Sequence, residues 1–210
     1  MRPNGWRGLL CGLLLGLALP GIPASAGEPA PKAPGWRAHA SAFDIARIEA
    51  DDEAFGRAIR AALVNAAEAD ILRLASALAD PRVPLDPAAI AGDWRCRTIK
   101  LGGPYAALTI YRFFRCRIVE TADGLVFKKV TGSQRVTGRL YREGERMILL
   151  GAGHDGYEQP RAYEGPGNTL GRTRENRDEA GILTAHESRV LVGLPFPILE
   201  SDYDILELRR

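Results

Sequence analysis

The sequence predicts an α+β protein in which an N-terminal helical hairpin precedes an antiparallel, roughly eight-stranded β-barrel or curled sheet. Between residues 41 and 80, apolar residues recur every three or four positions, which is typical of amphipathic helices. From Gly92 onward the period changes to two, which is typical of strands. The chain has 210 residues, 46% of them hydrophobic and 26% charged, which is enough for one globular domain with its own core.

The first 26 residues have the features of a cleavable secretory signal peptide. Arg2 and Arg7 precede an apolar run over residues 9–19, and Ala24 and Ala26 supply small residues at the cleavage positions. The run is about half of the roughly 20 apolar residues that span a bilayer. We therefore predict a periplasmic protein, cleaved after Ala26, with no transmembrane span in the mature chain.

The charge of the predicted mature chain argues against nucleic acid as a partner. Residues 1–26 contain two arginines and no acid, so cleavage leaves 26 basic and 26 acidic residues. A chain with no net charge lacks the overall basic character that binding to a phosphate backbone requires. The predicted partners are a small apolar ligand or another envelope protein.

The segment before the strands divides into a linker and a helical region. Residues 27–40 are rich in proline and glycine and read as a linker. Ser41, with Asp44 three residues later, resembles a capping box at the start of a helix. The apolar spacing then predicts one helix over residues 45–63 and a second over residues 71–78, paired as a hairpin.

Residues 88–210 form the predicted β-domain. The strand candidates are 94–100, 108–118, 125–131, 135–141, 147–150, 182–187, 189–193 and 203–208. Eight antiparallel strands can close into a barrel wide enough for side chains or one small ligand, and a curled open sheet packed by the helices is the alternative. Residues 151–181 are predicted to be a surface loop with a short hidden strand at 161–163.

The alternation of apolar residues selects a candidate barrel interior. The residues predicted to face inward are Trp94, Leu108, Ile110, Phe114 and Phe127. Gly92 and Trp94 at the start of the first strand resemble the entry motif of lipocalins, in which a tryptophan closes one end of the barrel. If these side chains line a void of a few hundred Å³, the barrel is a pocket, and if they pack against each other, it is a filled core.

Cys96 and Cys116 are the only two cysteines of the predicted mature chain, and they lie on consecutive strand candidates. In an oxidising compartment this arrangement predicts a disulfide. The two residues face each other directly if the hairpin turn is centred near Ala106, and diagonally if the turn lies earlier, at residues 102–104.

No catalytic, cofactor or metal motif is predicted. Residues 151–156 match G-x-G-x-x-G, but no helix follows to hold a pyrophosphate, so a glycine-rich turn is the better interpretation. No two histidines have the spacing of metal ligands. The hydrolase candidates, none fixed by local spacing, are Ser133 with His154 and Asp155, Ser201 with a distant histidine, and the acid pair Glu200 and Asp204.

Three segments together resemble a family described as domain of unknown function 4893. They are GDWRCR at residues 92–97, TGSQR at 131–135 and LPFPILESDYDILEL at 194–208. The resemblance covers almost all of residues 36–208. The resemblance implies an exported protein, like those of this family in alphaproteobacteria, with a helical start and a β-rich end. Because the family has no assigned activity, the resemblance identifies no catalytic or binding residue.

The leading functional hypothesis is a non-catalytic binding module for a small apolar or amphipathic ligand. The alternative is an envelope protein-interaction or structural domain whose barrel is filled by its own side chains. A hydrolase ranks third.

Overall fold

The computed structural model describes residues 35–210, so the predicted signal peptide and most of the predicted linker lie outside the described residues. The described chain begins with a 3-10 turn, Trp36–Ala38, followed by four helices. They are α1 (Ala42–Glu49), α2 (Asp51–Asn65), α3 (Glu68–Leu78) and α4 (Pro87–Ile90). The predicted cap is confirmed, because the Ser41 hydroxyl accepts a hydrogen bond from the Asp44 amide at 3.1 Å.

Eight antiparallel strands close into a barrel, and a ninth lies beside it. The strands are β1 (Gly92–Leu101), β2 (Leu108–Ile110), β3 (Phe114–Thr121), β4 (Gly124–Lys129), β5 (Gln134–Glu143), β6 (Arg146–Asp155), β7 (Asp178–Ala185), β8 (Val190–Pro195) and β9 (Tyr203–Arg209). From β3 to β9 each strand pairs with the next, and β9 pairs with β1, which closes the barrel. The short β2 pairs only with the end of β1.

The apolar end of the barrel interior is filled by side chains. Trp94, Phe127, Leu149, Leu183 and Leu208 belong to one buried cluster that draws on every strand of the closed barrel. Helix α4 covers this end, because the Trp94 indole donates a hydrogen bond to the Ile90 carbonyl at 2.9 Å.

The helices pack on the outer surface of the barrel in two places. The alanine face of α2 and Leu74 of α3 pack on outward residues of β1 and β9, such as Ile99 and Ile205. Helix α1 and the first 3-10 turn cover β6 and β7, where Trp36 and Ile48 pack with Ile148. The predicted linker therefore ends earlier than residue 40, since Trp36 is part of the folded domain.

The helical segment differs from a two-helix hairpin. The predicted helix over residues 45–63 is two helices, α1 and α2, which meet at Ala50. Ala50 leaves the helical conformation, with φ −92° and ψ 19°. The break allows α1 to lie on β7 while α2 lies on β8 and β1.

The predicted strand over residues 108–118 is also wrong, because the chain leaves the sheet at residues 111–113. Before the break, Ile110 lies opposite Ile99, and after it, Phe114 lies opposite Cys96. The register has slipped by one residue, and a slip of one residue turns side chains to the other face of a sheet. Leu108 and Ile110 therefore face outward, whereas Phe114 faces inward.

The disulfide between Cys96 and Cys116 is confirmed, with a Cα to Cα distance of 5.7 Å. Cys116 lies opposite Trp94 rather than opposite Cys96, so the diagonal arrangement is correct and the direct one is wrong. The bond joins β1 and β3 inside the barrel, within the same cluster as Trp94.

The glycine-rich segment after residue 150 is a strand rather than a turn. Gly151 lies in β6 opposite Gly138, and a Cβ on Gly138 would be 2.5 Å from the Gly151 Cα. This close approach of two backbones requires glycine. The connecting loop is shorter than predicted, from residue 156 to 177, and residues 161–163 form no strand.

Candidate functional site

The residues predicted for the barrel interior lie in two separate places. Trp94 and Phe127 are buried together inside the barrel, and Phe114 packs against the same cluster. Leu108 and Ile110 lie outside the barrel and pack with α2 and α3. Because the interior around Trp94 is packed with side chains, a candidate site for an apolar or amphipathic ligand has to be sought elsewhere.

A cleft of about 420 Å³ lies between α2, α3 and the outer surface of β7, β8 and β9. This volume is within the range typical of small-molecule sites. The apolar part of its lining is Phe55, Leu78, Ile182, Leu191 and Ile205. The polar residues around it include Asp51, Asp52, Asp80, Arg82, Thr184 and His186. The cleft is therefore amphipathic.

Tyr203 forms the floor of the cleft and connects β9 to α2. Its ring crosses Gly193 so closely that a Cβ at Gly193 would overlap the tyrosine hydroxyl. The hydroxyl donates a hydrogen bond to Asp51 Oδ1 at 2.8 Å, and the ring meets Phe55 edge to face at 5.3 Å. Gly193 is thus required for the position of Tyr203, and Tyr203 sets the position of the helix wall.

Arg189 fixes the α3 wall of the cleft to the barrel. Its guanidinium donates two hydrogen bonds to the Asp80 carboxylate, both at 2.9 Å, and a third to Glu207 Oε1 at 2.9 Å. It also donates to the carbonyls of Ser76 and Ala77 at the end of α3. These carbonyls lack partners within the helix, so Arg189 satisfies the helix end while holding it against β9.

His186 on the rim has both ring nitrogens engaged. Nδ1 lies 2.8 Å from the Asp80 carbonyl oxygen, which can only accept, so Nδ1 carries the proton. Nε2 then accepts from the Thr184 hydroxyl at 3.1 Å. In this arrangement His186 orders the rim of the cleft and is not a free general base.

The pKa values of the titratable groups around the cleft are shifted in different directions. Burial raises the pKa of Asp51. The Ser188 hydroxyl and the Arg189 guanidinium lower the pKa of Asp80 to about 2. Burial, together with the adjacent Asp51 carboxylate, raises the pKa of Tyr203 far above its usual range, so the hydroxyl remains a neutral donor. The partly buried Asp51 and the exposed Asp52 give this end of the cleft an acidic character.

The predicted pairs of a serine with a histidine are not assembled in the described chain. In the described chain, Ser133 and Ser201 have no histidine as a hydrogen-bond partner, because His154 Nδ1 faces the Asp155 carbonyl at 3.1 Å. Ser201 instead donates to Asp204 at 2.5 Å. The predicted pairs of a serine with a histidine base are therefore not formed in the described chain, and Ser201 has the Asp204 carboxylate as its partner instead.

Two kinds of feature are absent from residues 35–210, the part of the chain that the structure describes. In that part of the chain, no group of three or more histidine, cysteine, aspartate or glutamate side chains is placed to hold a metal ion. None of the helices described is long and apolar enough to cross a membrane.

Sequence reasoning missed the cleft because its walls come from segments far apart in the chain. Phe55 was visible as part of an apolar helix face, but nothing in the sequence indicates that this helix lies over β9. The pairing of Gly193 with Tyr203 depends on the register between β8 and β9, which only the folded sheet shows.

Comparison with known proteins gives a family but no activity. No curated protein matches the chain, and no solved structure matches it. A family model described as a domain of unknown function matches residues 36–208, which covers nearly all of the described structure. The chain therefore belongs to the family of proteins with the domain of unknown function DUF4893.

Proposed function

We propose that the protein is a non-catalytic binding protein for a small amphipathic ligand, and that the ligand lies in the cleft between the helices and the outer barrel surface. The observation that carries the proposal is the cleft itself, about 420 Å³ in volume with an apolar floor and a charged rim. The packed apolar end of the barrel supports this location, since the side chains around Trp94 already pack against each other and the apolar part of a ligand needs another surface.

The charges around the cleft favour a ligand whose polar end is an amine. Asp80 is already bound by Arg189, which leaves two carboxylates, Asp51 and Asp52, beside one guanidinium, Arg82, in the lining of the cleft. The tyrosine hydroxyl donates to one oxygen of Asp51 and leaves the rest of that carboxylate to accept from a ligand. An ammonium group at this end and an alkyl chain over Leu191 would match the two halves of the cleft.

Nuclear magnetic resonance (NMR) titration of the disulfide-bonded protein with n-octylamine tests this function. We expect the amide signal of Gly193 and the methyl signals of Leu191 to shift in a saturable manner, with weaker binding of n-octanoate. Replacing Asp52→Asn should weaken octylamine binding about fivefold, the effect of removing one exposed ion pair. The matched control is Glu53→Gln, which removes an exposed acid of the same helical turn outside the cleft lining.

A second variant tests whether the ligand lies in the cleft without changing the charge of its lining. Thr184→Phe places a ring in the cleft and should abolish binding, whereas Leu72→Phe, on the exposed side of α3, should not. No shift of Gly193 with either probe, or equal binding by wild type and Thr184→Phe, would contradict the proposal. The former result would favour the alternative, an envelope protein-interaction domain, and the latter would place the ligand outside the cleft.

We further propose that the protein is exported to the periplasm. The disulfide supports this, because such bonds form and persist in oxidising compartments. Mass spectrometry of the mature protein should give Gly27 as the first residue. An unprocessed N-terminus at Met1 would contradict it, and so would a lipid-modified N-terminus at Cys11, a cysteine within the predicted signal peptide.

A further inference from the structure

The other end of the barrel interior contains two lysines, of which Lys129 is buried and Lys100 is partly buried. Thr98 and Lys100 on β1 continue the inward face that begins with Trp94, and Lys129 on β4 continues the inward face of Phe127. Lys129 is 9% exposed as a residue and the Lys100 side chain 12% exposed. Buried ammonium groups are costly unless they are paired, so each requires an account of its partners.

The two lysines differ in their partners. Lys100 Nζ lies 2.6 Å from Glu200 Oε2 and 3.9 Å from Asp204 Oδ2, so its charge is compensated. Lys129 Nζ has no carboxylate within 4 Å in the described chain. Its one polar contact there is the Thr98 hydroxyl at 3.3 Å, and the Phe114 ring lies beside it at 5.2 Å. An ammonium group has three donors, so Lys129 retains donors without a protein acceptor.

A small cavity of about 40 Å³ adjoins these donors. Its lining combines both lysines with hydroxyl and amide groups, and it includes no carboxylate. The lining residues other than the lysines are Thr98, Tyr111, Phe114, Gly132, Ser133 and Gln134. A cavity holds a water when about 10 to 15 Å³ is free for it, so this one has room for a group of about three heavy atoms.

A second cavity, of about 130 Å³, shares Lys100 and Gln134 as walls. Its lining includes Glu179 and Asp204, and burial raises the pKa of Glu179 to about 7 and that of Asp204 to about 6. Within residues 35–210, Glu179 Oε2 has no hydrogen-bond partner and lies 4.0 Å from Arg47 Nη1, which also lacks a hydrogen-bond partner there. This neighbouring space could accommodate the remainder of a small molecule that is anchored at the lysines.

We infer that the mouth of the barrel is a binding site for a small carboxylate, held by Lys129 and Lys100. A carboxylate has two oxygens that accept several hydrogen bonds, which matches an ammonium group surrounded by hydroxyl and amide donors. This site is separate from the cleft on the outer surface, and its occupancy does not depend on the function proposed there. The low pKa of Lys129, about 8 because of burial and the adjacent Lys100, is the state expected when the anion is absent.

The test is an acetate titration of the disulfide-bonded protein, observed by NMR at the Cε of Lys129, at constant ionic strength set with sodium chloride. We expect a saturable change at Lys129 and at the amides of Ser133 and Gln134. Acetate should also raise the pKa of Lys129, because an anion that binds the charged form stabilises it.

Two variants form a matched pair for the same titration. Lys129→Met removes the buried ammonium and should weaken acetate binding at Ser133 at least about tenfold. Lys128→Met removes the adjacent lysine, which is exposed, and should leave binding unchanged. An unchanged Lys129 pKa in acetate would overturn the proposal even if Lys129→Met failed to fold. Binding of chloride as tight as that of acetate would also overturn it, because it would indicate a halide site.

Discussion

The two ends of the barrel interior are built from the same strands and the same inward positions, but they contain opposite chemistry. On β1, Trp94 and Cys96 face inward at one end, and Thr98 and Lys100 face inward at the other. On β4, Phe127 is followed two residues later by Lys129. The apolar end is packed and covered by α4, whereas the polar end adjoins two cavities. We therefore expect the apolar end to stabilise the fold, and we assign the polar end to the carboxylate site proposed above.

Loss of Trp94 is expected to have the largest effect on stability. Trp94→Ala removes a buried ring and the hydrogen bond to Ile90, so the free energy of unfolding should fall by about 3 to 5 kcal/mol. Urea denaturation measures this loss. Tyr105→Ala is the control, because Tyr105 is 87% exposed. A loss below about 1 kcal/mol would show that this end is not the stabilising core.

The disulfide is expected to contribute somewhat less than Trp94 to the free energy of unfolding. Cys96 and Cys116 are separated by 20 residues, and a loop of this length corresponds to about 3 kcal/mol in the chain-entropy account. The double variant Cys96→Ser with Cys116→Ser should lose about this amount in urea denaturation. If this variant were as stable as the wild type, the bond would be dispensable for this end of the barrel.

Because of two acidic groups at the polar end, we expect the free energy of unfolding to decrease as the pH rises. Burial raises the pKa values of Glu179 and Asp204 above their unfolded values, so the folded state holds protons that the unfolded state releases. Their contribution is complete below about pH 4 and is lost as the pH rises through about 7. Asp80 acts in the opposite direction, because its lowered pKa contributes stability that is lost as the pH falls from about 4 toward about 2.

The measurement is the free energy of unfolding at intervals between about pH 4 and 7.5, below the pKa of Lys129. We expect a decrease of about 1 kcal/mol or more in the wild type and a smaller one in Glu179→Gln. Equal slopes in the two proteins would show that Glu179 does not titrate as its burial requires.

The sequence contained most of the information for the fold and only part of that for the sites. Seven of the predicted strands, the disulfide and the Ser41 cap follow from local alternation and spacing. The slip at residues 111–113 does not, because the slip depends on how β1 pairs with two strands in succession. Lys129 was visible as a lysine on the face of Leu125 and Phe127, a signal that sequence reasoning did not use.

The outer cleft lay beyond such reasoning for a different reason. Its floor requires Gly193 to lie under Tyr203, and its wall requires Arg189 to reach Asp80 and the end of α3. Both contacts join residues whose proximity is set by packing of helices on the closed barrel, and no local pattern encodes that packing.

The most direct test of the division between the two ends is the unfolding free energy of Lys129→Met relative to wild type and Lys128→Met. Replacing a buried charge that lacks a carboxylate partner with an apolar side chain of similar length should leave stability unchanged or raise it by about 1 kcal/mol or more. We therefore expect a Lys129→Met protein to be at least as stable as both others in urea denaturation without added carboxylate. A loss of about 2 kcal/mol or more would contradict it, because Lys129 would then be a structural part of the barrel, as Trp94 is.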